Sequence, residues 1–164
     1  MRMQSLIRFA FALILTTHAL IASAAPYPVG TPWPGLTLPD QHDKTATLVG
    51  DKLLVVLFAA ERKPGDWVQE IIEKSYKEAA ISGRVALVFD ISRMPSLVTT
   101  MFALPGFRAR PFPILLARES APVEFMPRKE AAVTVLTLDA GRIAAIDFAP
   151  DEAALARLLS QILR

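Results

Sequence analysis

The sequence has 164 residues, of which 52% are hydrophobic and 21% are charged, and it contains 13 prolines and no cysteine. This length and apolar content fit one globular domain with its own core, and they exclude an intrinsically disordered or collagen-like chain. The lack of cysteine excludes disulfides, thiolate metal ligands and cysteine nucleophiles.

The first 24 residues have the organisation of a secretory signal peptide. Arg2 and Arg8 make the start positive, an apolar run follows over residues 9–21, and Ala22-Ser23-Ala24 is a small-x-small cleavage site. We predict cleavage after Ala24 and export to the periplasm. An uncleaved membrane anchor is the weaker interpretation, because a spanning helix needs roughly 20 apolar residues. We therefore expect no stable membrane span after cleavage.

The mature chain, residues 25–164, is predicted to be one domain with almost no net charge. Removing Arg2 and Arg8 from the 18 basic residues leaves 16, which equals the 16 acidic residues. A balanced charge provides no general attraction for polyanions. We therefore predict that nucleic acid is not a partner.

The N-terminal half begins with short strands and then a deeply buried one. The Pro- and Gly-rich stretch 25–39 is expected to be extended, with an edge strand at Thr37–Leu38. A second short strand is expected at 46–48. The continuous apolar run Leu53–Ala59 is typical of a strand that is buried on both faces of a sheet.

A helix and a parallel strand are expected next. After a break at 61–65, apolar residues at helical spacing predict a helix with Asp66 as its N-cap and Gly83 as its stop. Val85–Phe89 predicts a second buried strand. A strand–helix–strand unit of this length places its two strands in parallel, with a right-handed crossover.

The middle of the chain is less regular. Pro95–Phe102 predicts a short helix with Pro95 or Ser96 in its first turn, and Pro105–Pro113 predicts a basic, proline-rich surface loop. Ile114–Ala117 predicts a strand or a short apolar extension.

The C-terminal third predicts a β-hairpin and a closing helix. The strands are expected at Ala132–Leu138 and Ile143–Phe148, on either side of a tight turn at Asp139–Arg142. Pro150 is expected at the first position of the final helix. Its inner stripe is predicted to be Leu155, Leu158, Leu159 and Ile162.

This order of elements resembles the thioredoxin-like fold, an α/β fold with a central mixed β-sheet flanked by helices. Leu53–Ala60 looks like the central strand that leads to the redox site in thioredoxins, and the segment VTVLTLDAGRI (133–143) is similar to the hairpin after their cis-proline. Within that superfamily the chain looks most like the exported bacterial YtfJ-type family, whose function is uncharacterised. The resemblance covers most of the mature chain.

The chain departs from that family pattern at the redox site. The thioredoxin pattern F-x-A-x-W-C-x-x-C, placed on Phe58 onward, puts Lys63 and Asp66 where the cysteines stand. Thiol–disulfide exchange and peroxidase chemistry of the peroxiredoxin kind both begin with a thiolate, so both are excluded. The cis-proline position falls near Ala131 or Ala132. The resemblance therefore implies a redox scaffold without its redox site.

Other site chemistry has little support in the sequence. His42 with Asp40 and Asp43 is the one group with metal-ligand character, and a solvated turn explains it better. No phosphate-binding loop is present, so we predict neither a cofactor nor a metal. Glu61 and Asp66 are an imaginable acid/base pair, but ordinary loop charges explain them more simply. No catalytic residue is assigned.

The candidate site is therefore a binding surface. Arginine and aromatic side chains are typical of interface cores, although the aromatics of the 105–113 loop equally fit packing onto the core. The candidate binding residues are Arg62, Lys63, Asp66, Trp67, Phe107, Arg108, Arg110 and Phe112.

The sequence favours an exported non-redox module that binds an envelope protein or peptide. One alternative is a cysteine-independent enzyme that uses carboxylates or a bound cofactor in the former redox cleft. Another is a structural protein of the envelope.

Overall fold

A five-stranded mixed β-sheet organises the part of the chain that the computed structural model describes, residues 27–164. The predicted signal peptide lies outside these residues. The strands are β1 (Leu36–Pro39), β2 (Thr45–Leu48), β3 (Val55–Ala59), β4 (Val85–Asp90), β5 (Leu115–Ala117), β6 (Val133–Asp139) and β7 (Arg142–Ala149).

Five α-helices and three other helical segments cover this sheet or connect its strands. The α-helices are α1 (Arg62–Ile71), α2 (Lys77–Ile81), α3 (Ser96–Val98), α4 (Leu104–Arg108) and α5 (Glu152–Ile162). A π-helical segment at Ile72–Tyr76 joins α1 to α2, another at Thr99–Ala103 joins α3 to α4, and Ala121–Val123 forms a 3₁₀ turn. In the part of the chain described, none of the helices has the length and apolar character needed to span a bilayer.

The main sheet has the strand order β5-β4-β3-β6-β7. β3 and β4 are parallel, with Val55 opposite Val85, and β4 and β5 are parallel too. β6 runs antiparallel to β3 and forms a hairpin with β7. This arrangement confirms the predicted β–α–β unit, the C-terminal hairpin and the mixed central sheet.

The side chains of β3 alternate between two hydrophobic cores. Val55, Leu57 and Ala59 pack on the face that α1 and α5 cover. Val56 and Phe58 pack on the opposite face, beneath the small antiparallel sheet of β1 and β2. Every residue of β3 and β4 is buried, and for this reason the two strands are continuous apolar runs.

The first helix begins earlier than the sequence predicts. α1 starts at Arg62, with Glu61 as its N-cap, so the expectation that Asp66 is the N-cap is wrong. Pro64 lies in the first turn, where a missing N–H costs no hydrogen bond because those groups have no intrahelical acceptor. Gly65 packs near the Phe89 ring. The Pro-Gly pair is therefore compatible with the helix.

The predicted loop at 105–113 is partly helical. The helix that starts at Ser96 continues through a π-helical segment to Arg108, so the loop interpretation is wrong over residues 105–108. The main-chain N–H of Leu104 donates to the Thr99 carbonyl, five residues back. This widened turn lies immediately before Pro105, which has no N–H to donate.

The last helix is capped by a carboxylate. Asp151 is its N-cap, and an oxygen of its side chain accepts from the Ala154 N–H at 2.7 Å. Pro150 precedes the cap, so its predicted place at the first helical position is wrong. Leu155 and Leu159 are fully buried, and Leu158 and Ile162 pack against the same core.

A buried amide connects the turn after β1 to the segment before β5. The Gln41 side chain is 2% exposed; its Nε2 donates to the Phe112 carbonyl and its Oε1 accepts from the Ile114 N–H, both at 2.8 Å. Since both main-chain groups are buried, they depend on this amide.

Replacing this amide tests its importance for stability. We expect Gln41→Leu to lower the free energy of unfolding by about 2–3 kcal/mol, because it leaves two buried main-chain groups unsatisfied. The measurement is urea unfolding. The control is Thr47→Ala, which removes an exposed hydroxyl–hydroxyl bond, and equal losses for the two variants would contradict the prediction.

Candidate functional site

A groove of about 580 Å³ opens at the carboxyl end of β4. One wall is the start of α1 and the other is the helical run Ser96–Arg108. Phe89 and Ile91 line it from the sheet, and Val98, Phe102 and Phe107 line it from the helical run. Its charged lining residues are Glu61, Arg62, Asp66, Asp90, Arg93 and Arg110.

Topology explains the position of this groove. β3 and β4 are parallel, so their carboxyl ends lie at the same edge of the sheet. α1 begins three residues after β3 ends, which brings its first turn to that edge. Open α/β sheets commonly bind ligands in the crevice outside the carboxyl ends of their strands.

The structure places four of the eight predicted binding residues on the groove: Arg62, Asp66, Phe107 and Arg110. Arg62 and Asp66 are one turn apart on α1, with Nε 3.8 Å from Oδ2. Phe107 is buried and its ring packs edge-to-face on Phe89, 5.4 Å between centroids.

The other four predicted residues lie elsewhere. The ammonium of Lys63 lies 5.6 Å from the centroid of the Trp67 ring, which packs against the helix-covered core, and neither residue lines the groove. Phe112 is 1% exposed and belongs to the same core.

Arg108 binds the turn after β1. Its Nε donates to the Gln41 carbonyl at 2.9 Å and its Nη2 donates to Asp43 at 3.1 Å. Asp43 also pairs with Arg118, and the hydrogen bond and charge of Arg118, followed by those of Arg108, lower the pKa of that carboxyl. These contacts give Arg108 a structural role outside the groove.

The same turn contains the group considered as a metal site. An oxygen of the Asp40 side chain accepts from the main-chain N–H groups of His42 and Lys44, and Asp43 pairs with two arginines. These carboxylates are therefore already bonded to main-chain N–H groups and arginines around the turn. Over residues 27–164 no three His, Cys, Asp or Glu side chains cluster in a way that could hold a metal ion.

Arg110 fixes the distance between the two helical walls. Its Nε donates to Oε1 of Gln69 at 3.2 Å, and its guanidinium also pairs with Glu73. Gln69 is 7% exposed and donates in turn to the Gly65 carbonyl within α1. The end of the helical run is thereby bonded to the last turn of α1 and to the π-helical segment that follows it.

Glu61 connects the start of α1 to the segment before β6. Its carboxylate does not cap α1; its Oε1 accepts from the Ala131 N–H at 2.8 Å. Ala131 has φ +52, a left-handed conformation that is unfavourable for alanine. The cis-proline position of the resemblance falls near Ala131 or Ala132, and no peptide bond within residues 27–164 is cis.

A buried ion pair, which the sequence did not indicate, lies beside the groove. The Asp90 side chain is 3% exposed; its Oδ2 accepts from Arg128 at 2.5 Å and its Oδ1 accepts from the Ser92 N–H at 3.0 Å. The Arg128 guanidinium lies 4.9 Å from the centroid of the Phe58 ring and also donates to the Val123 carbonyl. This pair holds the 121–131 segment against β4.

Sequence reasoning also missed the exposed side of the groove wall. Leu97, Met101 and Phe102 are 67%, 59% and 70% exposed, and Val98 beside them is 41% exposed. We call these four residues the apolar ridge. A signal was present in the sequence, since no residue from Met94 to Phe107 is charged, which is unusual for an exposed helix.

Comparisons of the fold return thioredoxin-like structures. A solution structure of a proposed protein disulfide isomerase from Bacteroides thetaiotaomicron matches with 19% identity and TM-score 0.58, over 83% of this chain and 88% of that chain. The thioredoxin domain of a thiol-disulfide oxidoreductase from Bacteroides vulgatus matches with 12% identity and TM-score 0.53, over 84% and 99%. A proposed thiol:disulfide interchange protein DsbE from Chlorobium tepidum matches with 17% identity and TM-score 0.56, over 83% and 96%.

These likenesses establish the thioredoxin-like fold. No family model and no curated protein matches the chain by sequence. Unlike a thiol-disulfide oxidoreductase, the chain has no cysteine.

The pH dependence of stability tests the Asp90–Arg128 pair. Burial raises the pKa of Asp90, but hydrogen bonds from Ser92 and Arg128 outweigh it and the pKa lies below its ordinary value. The stabilisation is therefore present above the unfolded-state pKa and is lost as the pH falls through the folded-state pKa.

We expect Asp90→Asn to lower the free energy of unfolding by about 2 kcal/mol at neutral pH, because it removes a charge-assisted hydrogen bond. The difference from wild type should shrink as the pH falls below 3.8, the ordinary pKa of an aspartate. The measurement is urea unfolding over that range, with exposed Asp139→Asn as control. A difference that is independent of pH would refute the ion-pair assignment.

Proposed function

We propose that this chain is an exported, non-redox thioredoxin-like module that binds a protein partner through the groove beside α1. The observation that carries the proposal is the open groove of about 580 Å³, lined by apolar side chains and flanked by the apolar ridge. Soluble monomers rarely expose a contiguous apolar patch of this kind unless it is an interaction site.

The residues at the former redox positions support binding over electron transfer. Lys63 stacks on Trp67, and Asp66 faces Arg62. Neither side chain can attack or form a disulfide, because that chemistry needs sulfur. The fold thus supplies an exposed crevice, and its side chains supply shape and charge.

A carboxylate-dependent enzyme is the second candidate. Glu61 and Asp66 both line the groove, as an acid/base pair would require. Against this, Glu61 is bonded to the Ala131 N–H and Asp66 pairs with Arg62. A hydrolytic activity that is abolished in Asp66→Asn would favour this candidate over the binding module.

Site-specific photocrosslinking in cells tests the binding module. A photoreactive phenylalanine analogue at position 102 should give one discrete protein adduct. The same analogue at position 49, also an exposed apolar site, is the matched control. Equal labelling from both positions, or no adduct from position 102, would contradict the proposal.

A groove-filling variant makes that test specific. Gly106 lines the groove, and a Cβ added there meets no atom within 4 Å. We expect Gly106→Trp to fold normally and to abolish the adduct from position 102. A Gly106→Ala control should retain the adduct and, since alanine favours helix, should unfold with a free energy up to about 1 kcal/mol higher.

Export is tested by determining the N-terminal residue of the protein recovered from the periplasm. If the leader is a signal peptide, the periplasmic form should begin at Ala25, and intact mass together with N-terminal sequencing will show this. Ala24→Arg, which destroys the small-x-small site, should leave the precursor uncut. A full-length chain recovered from the cytoplasm of wild-type cells would contradict export.

A further inference from the structure

We infer that the partner presents an Asp or Glu side chain next to a bulky apolar side chain, and that Arg93 binds the carboxylate while the groove takes the apolar group. This inference rests on the proposed binding function. Most of the charges around the groove are already bonded within the fold.

Five of the six charged groove residues have internal partners. Arg110 is bonded to Gln69 and Glu73, and Asp90 is bonded to Ser92 and Arg128. Arg62 and Asp66 face each other. The Arg110 and Asp90 contacts hold those two charges within the fold, and the exposed Arg62–Asp66 pair has no net charge.

Glu61 is likewise engaged, because its carboxylate accepts from the Ala131 N–H. Arg93 is different. It is exposed, and within residues 27–164 its side chain makes neither a hydrogen bond nor an ion pair. Its guanidinium is therefore exposed at the groove without an internal partner, whereas the Glu61 carboxylate is held by a main-chain N–H.

The backbone holds Arg93 at the mouth of the groove. The Ser92 N–H donates to Asp90, and the Met94 N–H donates to the Ile91 carbonyl at 2.9 Å. These bonds fix the turn between β4 and α3 on both sides of Arg93. A guanidinium presented in this way suits a carboxylate, which it can bind through two parallel hydrogen bonds.

The surface next to Arg93 is apolar and is suited to bind the apolar side chain of the partner. Val98 and Phe102 belong both to the apolar ridge and to the groove, and the helix that carries them has no charged residue before Arg108. Interface cores are depleted in charge and enriched in aromatic and methionine side chains. An acidic residue beside an apolar one therefore matches Arg93 and the ridge together.

Peptide selection on the purified protein tests this inference. The probe is a library of random peptides whose carboxyl ends are fused to the display scaffold. No peptide then has a free C-terminal carboxylate, and Asp and Glu side chains supply the only carboxylates of the peptide. We expect the enriched peptides to combine Asp or Glu with Phe, Leu, Ile, Met or Trp. Enrichment of basic or uncharged peptides would overturn the inference.

Charge reversal then tests the role of Arg93. We expect Arg93→Glu to weaken binding of a selected acidic peptide at least about tenfold, as loss of a close interfacial charge pair does. A lysine-for-acid change in the peptide should restore the affinity. The matched control is Arg157→Glu, an equal charge change at an exposed position on α5, outside the groove lining, which should leave binding nearly unchanged.

The outcomes separate this inference from the proposed function. If Gly106→Trp abolishes peptide binding but Arg93→Glu does not weaken it, the groove binds a partner and the acidic specificity is wrong. If Gly106→Trp leaves binding intact, or if no peptide is enriched, the binding function itself is contradicted. A third outcome is that the protein binds anionic phospholipid vesicles and no peptide, and that Phe102→Ser abolishes the vesicle binding. The partner would then be a lipid surface, and the peptide inference would be wrong.

Discussion

The parallel pairing of β3 with β4 is the constraint from which the groove follows. Both strands are buried on both faces, so the chain between them must cross over as a helix that covers the sheet. α1 therefore starts at the edge where β4 ends. The helical run Ser96–Arg108 follows β4 and covers the same face. A crevice between the two helices is the geometric result, whatever chemistry the crevice serves.

Three polar contacts fix the segments around that crevice. Glu61 bonds the start of α1 to Ala131, Arg110 bonds the second wall to α1, and Asp90 bonds β4 to Arg128. Each contact joins segments that are far apart in sequence. These polar groups therefore maintain the shape of the crevice. Under the proposed function, recognition depends on the apolar surface and on Arg93.

The sequence predicted the central elements because their signals are strong. Continuous apolar runs identified β3 and β4, and the Asp139–Arg142 turn identified the hairpin. Helix boundaries near proline were predicted less well. Pro64 and Pro105 suggested breaks, but one lies in a first turn and the other follows a widened turn. A local sequence pattern does not show whether a proline will stand in the first turn of a helix, where its missing N–H has no intrahelical acceptor to lose.

The candidate site was predicted only in part, because proximity in the chain is not proximity on a surface. Arg62 and Asp66 line the groove, whereas Lys63, in the same turn, points to Trp67. One turn of helix presents its side chains in different directions, so a run of charged residues cannot all face one crevice. Arg93 carried no local motif and emerged only once its surroundings were known.

The uncharged helical run is the feature that stability alone does not explain. An exposed helix gains solubility from charged side chains, and a glycine in its interior costs about 0.5–1 kcal/mol relative to alanine. This run has an exposed Phe102, no charge before Arg108, and Gly106 at a position with neither a positive φ nor a crowded Cβ. The fold would tolerate a charged side chain at 102 and a larger residue at 106. Both residues instead keep the crevice open and apolar, which is the property that the proposed binding function requires.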